Sequence, residues 1–262
     1  MPPPPEPLAV VFALRMEARP FRHALGRRRG AGSPVEPAWG SCGATDVVWA
    51  VTGIGEQRAR DGAEALIART APYALLITGF CGGLAHGMAN GDLVCATGCL
   101  GMGRNGAMQP ARPLLEAALG ALHGGAHTVH DGLLLTVDRP LQTPCAKAEK
   151  RREWPGAIAV DMETYGAAEA AEAAGVPWLA IRCVTDGPDD RLPPGLDRIT
   201  ADGHPDAAAI AVAAALRPRS LLRLAATARA ASMAALTLGD AVRLVVAATA
   251  GLRRPLRRSG CE

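Results

Sequence analysis

The chain has 262 residues, 49% apolar, 3% aromatic and 20% charged. That length suits one large α/β domain or two small ones with a sizeable core, and the charged fraction excludes a disordered body. A net charge of +3 is too small to argue for a nucleic-acid partner. The cysteines (Cys42, Cys81, Cys95, Cys99, Cys145, Cys183, Cys261) are odd in number and scattered without CxxC pairs. They form neither a disulfide framework nor a zinc site, and they point to the reducing cytosol. The start MPPPPEP lacks the basic n-region of a signal peptide. No uncharged apolar stretch approaches the roughly 20 residues that span a bilayer. The expectation is a cytoplasmic protein whose membrane contact, if any, is peripheral.

After a proline-rich tail, residues 1–7, the apolar run Leu8 to Leu14 predicts a buried strand, and Glu17 opens a helical stretch to about Leu25. Residues 27–39 are rich in Arg, Gly and Pro and read as loop. Strand Val47 to Thr52 leads through the turn Gly53-Ile54-Gly55 into a helix over 57–71. Strand Tyr73 to Thr78 is expected to end in a glycine-rich turn, Gly79 to Gly83. Asn90-Gly91 turns into strand Asp92 to Thr97. Residues 98–110, rich in Gly, read as an active-site loop. The pattern continues with helix 113–122, strand 132–137, helix 144–152, strand 157–160, helix 163–174 and strand 178–185. This alternation predicts a three-layer α/β sandwich around a mixed, largely parallel central sheet, with strands apolar enough to be covered on both faces. Residues 187–205 read as a lid or crossover loop. From 206 to about 252 the chain is Ala/Leu/Arg-rich and helical, with breaks expected near Pro218 and Gly239. The division drawn is a domain over 8–216 and a helical extension over 217–262.

Acids stand beyond strand ends at Glu17, at Asp161 and Glu163 around Met162, and at Asp186. Ligands of open α/β sheets gather at the carboxyl ends of the strands, so these groups can converge. Glycine turns at the same rim let a substrate approach the backbone. Taken singly, each has a plainer reading: an acid opening a helix complements its dipole, and Asp186 before Gly187-Pro188 is a turn residue. His86, His123, His127 and His130 lack metal spacing, so neither a metal nor an organic cofactor is expected.

Together, Val10 to Glu17, Thr52 to Gly55, Thr78 to Leu84, Asn90 to Val94, Ala159 to Glu163 and Arg182 to Asp186 resemble the blocks of the purine nucleoside phosphorylase/uridine phosphorylase superfamily, in its order, over about residues 8–190. Within it the chain is most similar to methylthioadenosine/S-adenosylhomocysteine nucleosidases and to hopanoid-associated phosphorylases. Asp161-Met162-Glu163, the run Asp189 to Pro194 and the Arg/Leu/Ala-rich tail look like the latter, which remove adenine from adenosylhopane.

The resemblance implies cleavage of an N-glycosidic bond through an oxocarbenium-like ribosyl cation. Asp186 takes the place of the aspartate that protonates purine N7. To do so near neutral pH it must hold a proton, which partial burial favours. Glu163 accepts hydrogen bonds from the ribose 2′- and 3′-hydroxyls, since a carboxylate can take two at once. Met162 packs against the ribose face or in the core. Glu17 orients the attacking water, and Asp161 is supporting or structural. Phe80, Cys81 and Gly82 line the base pocket, with Leu141 and its backbone beside them. Cys81 reads as packing, with no neighbouring His to activate it. Phosphate as co-substrate would need a cationic site, for which Arg104 and Arg182 are thin candidates, so water is the expected acceptor. The expected partners are a small or lipid-linked adenine nucleoside and, as is usual in the superfamily, further copies of the same chain. The basic tail either lies on an anionic membrane surface or completes the fold or an oligomer interface. The alternatives carried forward are a nucleosidase for methylthioadenosine, S-adenosylhomocysteine or a futalosine-like nucleoside, and a non-catalytic nucleoside-binding protein.

Overall fold

The computed structural model describes residues 6–192 and 218–252. Most of the expected 187–205 loop, residues 206–217 and the tail beyond 252 lie outside them. Strands β1 (Leu8–Phe12), β4 (Thr45–Val51) and β5 (Ala74–Gly83) run parallel. Every residue of β1 is buried. Leu8, Val10 and Phe12 enter one core cluster while Val11 and Ala9 enter the other, because successive side chains leave a strand on opposite faces. A strand covered on both sides must be apolar throughout. Helices α2 (Glu56–Thr70) and α5 (Thr164–Ala173) cover one face through Ala63, Leu66, Ala167 and Ala171. The other is covered by α1 (Arg15–Ala24), α3 (Arg112–His123) and the long C-terminal helix α6 (Pro218–Thr249).

The nine strands follow the order β2-β3-β4-β1-β5-β8-β7-β6-β9, and β5 also pairs with β9. The remaining strands are β2 (Gly26–Arg29), β3 (Ala38–Cys42), β6 (Leu93–Gly101), β7 (Val129–Thr136), β8 (Ala157–Asp161) and β9 (Trp178–Asp186). Because β5 pairs with both β8 and β9, the second half of the sheet closes on itself. This closure brings the carboxyl ends of β5, β8 and β9 together. Helix α4 (Pro144–Glu153) stands beside it, capped by Thr143, whose Oγ1 accepts from the Ala146 amide at 3.2 Å.

Three expectations are corrected. The loop expected over 27–39 contains β2 and the start of β3. Its arginines are exposed on the outermost strand, where charge protects an open edge, and Arg29 lies 5.5 Å from the Trp39 ring centre. The turn expected at 79–83 is the end of β5. Its glycines remain in the ladder because Gly79, Gly82 and Gly83 leave room for Arg182, Asp186 and Met88. Finally, α6 runs unbroken through Gly239.

Gly239 is there for close approach: a Cβ at this position would lie 2.7 Å from Pro20 Cβ and 3.1 Å from the Phe21 amide nitrogen. The helix thus lies directly on α1 and buries Leu238, Ala241, Val242, Val245 and Val246 in the first core cluster. Residues Thr227–Leu252 are long and apolar enough to cross a membrane, with a mean hydropathy of 1.5, yet half of that window is buried against the rest of the chain.

Two glycine substitutions separate helix propensity from packing. Gly120→Ala, exposed in α3 with nothing within 4 Å of the new methyl, should raise stability by about 1 kcal/mol. Gly239→Ala should lower it by about 1–3 kcal/mol, because overpacking outweighs the same propensity gain. Urea midpoints of both variants check this; a stabilised Gly239→Ala would refute the close-approach reading.

Candidate active site

One cavity of about 480 Å³ opens at the strand ends. All of the site residues read from the sequence line it: Glu17, Phe80, Cys81, Gly82, Leu141, Met162, Glu163 and Asp186. They come from α1, β5, the loop before α4, the β8–α5 junction and the end of β9. Apolar groups form much of the remaining wall, among them Leu14, Met16, Ile54, Val137 and Leu192, with Ala231 contributed by α6.

Behind the cavity, carboxyl groups converge on one guanidinium. Arg182, in the middle of β9, has no exposed surface. Its Nη2 lies 2.7 Å from Asp161 Oδ2 and its Nη1 3.4 Å from Glu163 Oε2. Nε and Nη2 also donate to Thr164 Oγ1, at 3.1 and 2.8 Å. The guanidinium passes over Gly79, where a Cβ would stand 2.3 Å from Nη1 and 3.2 Å from both Glu17 oxygens. Any side chain at 79 would displace the cluster.

Glu17 belongs to the first turn of α1 and folds back over its start. Oε2 accepts from the amides of Ala13 and Leu14 at 2.9 and 2.8 Å, and Oε1 from the Phe80 amide at 3.0 Å. The first pair satisfies helix-start donors as the acid of a capping box does; the third ties the helix to β5. Burial raises the Glu17 pKa above its ordinary value, against the lowering effect of these amides and Arg182. Asp161 accepts from Thr136 Oγ1 at 2.7 Å and from both the amide and hydroxyl of Thr164. Its oxygens are therefore occupied by structure.

Glu163 immediately precedes α5, and its Oε1 accepts from the Gly55 amide at 3.0 Å. Gly55 has φ +106°, a conformation that side chains rarely adopt, which is why a glycine turn faces this acid. Burial pushes the Glu163 carboxyl up to about 7, aided by Asp161 and Glu17 and opposed by Arg182 and the Gly55 amide.

Asp186, at the end of β9, is buried, with only 6% of its surface exposed. Its Oδ1 accepts from Thr185 Oγ1 at 2.7 Å, and its Oδ2 is ion-paired with Lys147 Nζ. The expected burial of Asp186 is present, and the structure adds a buried lysine in contact with it. Lys147 is the functional-site residue that sequence reading missed. Nothing separates it in the sequence from Lys150, Arg151 and Arg152 on the same helix, whereas in the fold it alone of the four is fully buried.

Other expectations change as well. No described residue of 98–110 lines the cavity. Strand β6 runs on to Gly101, and Cys99 and Met108 exchange backbone hydrogen bonds at 2.9 Å. Arg104 stacks 5.6 Å from the Tyr165 ring centre, faces Glu56 at 3.7 Å and does not line the cavity. Arg182 is consumed by its carboxylates. Burial raises the Cys81 thiol well above the usual thiol range, which leaves it protonated and suited to packing. Among the described residues, no group of His, Cys, Asp and Glu could hold a metal ion.

The buried carboxyl groups make stability depend on pH. Glu163 holds its proton up to about pH 7 when folded, against an ordinary value of 4.5, so folding takes up a proton between those values. That contribution is complete below pH 4.5 and is lost as pH rises through 7. It is worth on the order of 3 kcal/mol, and Glu17 adds in the same direction. Denaturant titrations near pH 5 and pH 8 should show wild type losing more stability across the interval than Glu163→Gln. Parallel profiles would show that Glu163 is ionised throughout.

Known proteins agree with this architecture. The Phosphorylase superfamily matches residues 26–218. The 5′-methylthioadenosine/S-adenosylhomocysteine nucleosidase of Haemophilus influenzae (strain 86-028NP) is 25% identical over 167 residues, 58% of this chain and 73% of the relative. That of Aeromonas salmonicida (strain A449) is 29% identical over 164 residues, 56% of this chain and 71% of the relative. Among solved structures, the corresponding nucleosidase of Neisseria meningitidis, in complex with methylthio-immucillin-A, superposes with a TM-score of 0.74 at 21% identity, over 92% of this chain and 98% of that one. Futalosine hydrolase of Helicobacter pylori strain 26695 gives 0.71 at 15% identity, over 92% and 97%. With most of its length matched and the fold shared, the chain belongs to the phosphorylase superfamily.

Proposed function

We propose that this chain is a nucleosidase that hydrolyses the N-glycosidic bond of an adenine nucleoside. The observation that carries the reading is the arrangement of one cavity: Asp186 beside Gly82 and Cys81, and Glu163 and Glu17 gathered around Arg182. The sequence relatives named above are methylthioadenosine/S-adenosylhomocysteine nucleosidases, and the Neisseria meningitidis nucleosidase was solved in complex with methylthio-immucillin-A.

In this reading the base lies against Phe80, Cys81, Gly82 and Leu141. Met162 packs on the ribose, and Glu163 accepts its hydroxyl hydrogens. As the C1′–N9 bond breaks, its electron pair goes to the base and Asp186 delivers a proton to N7. A carboxylate near the sugar favours the growing positive charge. Water attacks C1′ and gives its proton to Glu17, whose raised pKa suits a base. Phosphate is the poorer acceptor: Glu17 and Glu163 would repel it, and Arg182 is already paired with carboxylates.

For the 5′ substituent we favour a lipid tail, as in adenosylhopane. The supporting observations are the apolar wall from Met16, Ile54, Leu192 and Ala231 and the outer face of α6. That face exposes Arg229, Met233, Leu236, Arg243 and Leu244, with Arg243 paired to Asp240 at 3.2 Å, a largely apolar face with a basic group at Arg229 that suits an amphipathic surface contact. Methylthioadenosine is the second reading, favoured by the relatives' activity.

The test is free adenine, measured by chromatography after incubation with detergent-dispersed adenosylhopane or with methylthioadenosine, each with and without phosphate. Phosphate-independent release from adenosylhopane, reduced about 10²- to 10⁴-fold in Asp186→Asn, is expected. Release from methylthioadenosine alone would replace the lipid reading. A strict phosphate requirement would overturn hydrolysis, and no release from either would overturn the adenine nucleoside assignment.

A further inference from the structure

Lys147 is buried to 1% exposure at the floor of the cavity. Its Nζ donates to Asp186 Oδ2 and to the carbonyl oxygen of Gly187. That carbonyl is held by a fixed turn: the Gly187 amide donates to Asp190 Oδ2 at 2.8 Å, and a Cβ on Gly187 would strike the Met88 carbonyl at 2.5 Å. A buried lysine costs folding energy unless it is paired. Stability alone gives no reason to place one where an apolar side chain would fill the same space.

Thr185 supplies the second part of the device. Its hydroxyl lies 2.7 Å from Asp186 Oδ1 and 3.3 Å from the Cys81 carbonyl. With Asp186 ionised, the hydroxyl donates to Oδ1. With the acid protonated on Oδ2, Oδ1 remains an acceptor and the Thr185 hydroxyl keeps donating to it. The surroundings of Asp186 therefore satisfy both of its protonation states.

Resting on the reading of Asp186 as the acid, we propose that Lys147 is a positioning residue that loads the proton onto Asp186. In the resting site the pair is ammonium and carboxylate. On loading, one Nζ–H bond breaks and an Oδ2–H bond forms, leaving a neutral amine and a neutral carboxylic acid. When the glycosidic bond breaks, that acid proton passes to N7 and Asp186 is again a carboxylate. The amine then regains a proton from solvent. Exchanging two opposite charges for two neutral groups suits a buried site, where charge is costly. It also demands lysine, because a guanidinium does not give up its proton.

The test compares leaving groups. Wild type, Lys147→Arg, Lys147→Met and Asp186→Asn are assayed on whichever of the two adenine nucleosides wild type cleaves in the adenine-release test, whose adenine needs a proton to leave, and on 4-nitrophenyl β-D-ribofuranoside, whose phenolate does not. Both Lys147 variants are expected to lose about 10²-fold in kcat on the nucleoside and a much smaller factor on the nitrophenyl riboside, whose turnover also reports a folded site. Should Lys147→Met fail to fold, Lys147→Arg, which keeps the ion pair, decides alone. Equal losses on both substrates would overturn the proposal by making Lys147 a packing residue. Full activity of Lys147→Arg on both would overturn it by showing that charge alone suffices. A selective loss in Asp186→Asn without one in the Lys147 variants removes this inference alone. An unselective Asp186→Asn removes the acid assignment and this inference with it.

Discussion

The constraint on which the site depends is the desolvation of Arg182. A guanidinium with no exposed surface needs carboxylates around it, and Asp161 and Glu163 supply them from the β8–α5 junction. Strand pairing brings them together: Arg182 lies opposite Gly79 in the β5–β9 ladder, and Gly79 leaves room for both the guanidinium and Glu17. Closure of β5 onto β8 and β9 thus assembles α1, α5 and the strand ends around one charge. Three buried acids share a single arginine there. Burial, aided by Asp161 and Glu17, raises the Glu163 carboxyl to about 7 against the opposing pull of Arg182.

A second cation, Lys147, stands apart from this cluster on the other side of Gly82, against Asp186. The two pairs differ in chemistry. Arg182 is permanently charged and orders carboxylates, whereas a lysine ammonium, unlike a guanidinium, is able to give up a proton. In the proposed mechanism, stabilising positive charge at the sugar and delivering a proton to the base would fall to separate carboxyl groups, each with its own cation.

Helix α6 connects fold and cavity. Its buried face belongs to the same core as β1, and Ala231 reaches the cavity wall. Its opposite face carries Arg229, Arg243 and Asp240 among exposed apolar residues.

Much of this was legible before folding. The apolar run Leu8 to Phe12, and the run Trp178 to Val184, apolar except for Arg182, read as strands covered on both faces. Strand-end acids and glycine turns in family order singled out Glu17, Glu163 and Asp186, because strand-to-helix junctions place such residues on one rim whatever the details. The sequence misled wherever local propensity was overruled by a distant partner. Glycine at 79–83 reads as a turn until Arg182 and Asp186 are seen to need its missing side chains. Gly239 reads as a helix break until Pro20 is seen lying on it. Arginines at 27–29 read as loop until they are found on an open sheet edge. The pairing of Lys147 with Asp186 had no local signal, since the two are 39 residues apart on a helix and a strand whose meeting depends on closure of the sheet. What the sequence determined by itself was the kinds of residue and the rim they would occupy, because periodicity and junctions are local. Which cation faces which acid was decided only by tertiary structure, because ionic pairing depends on burial and on distances that strand order alone creates.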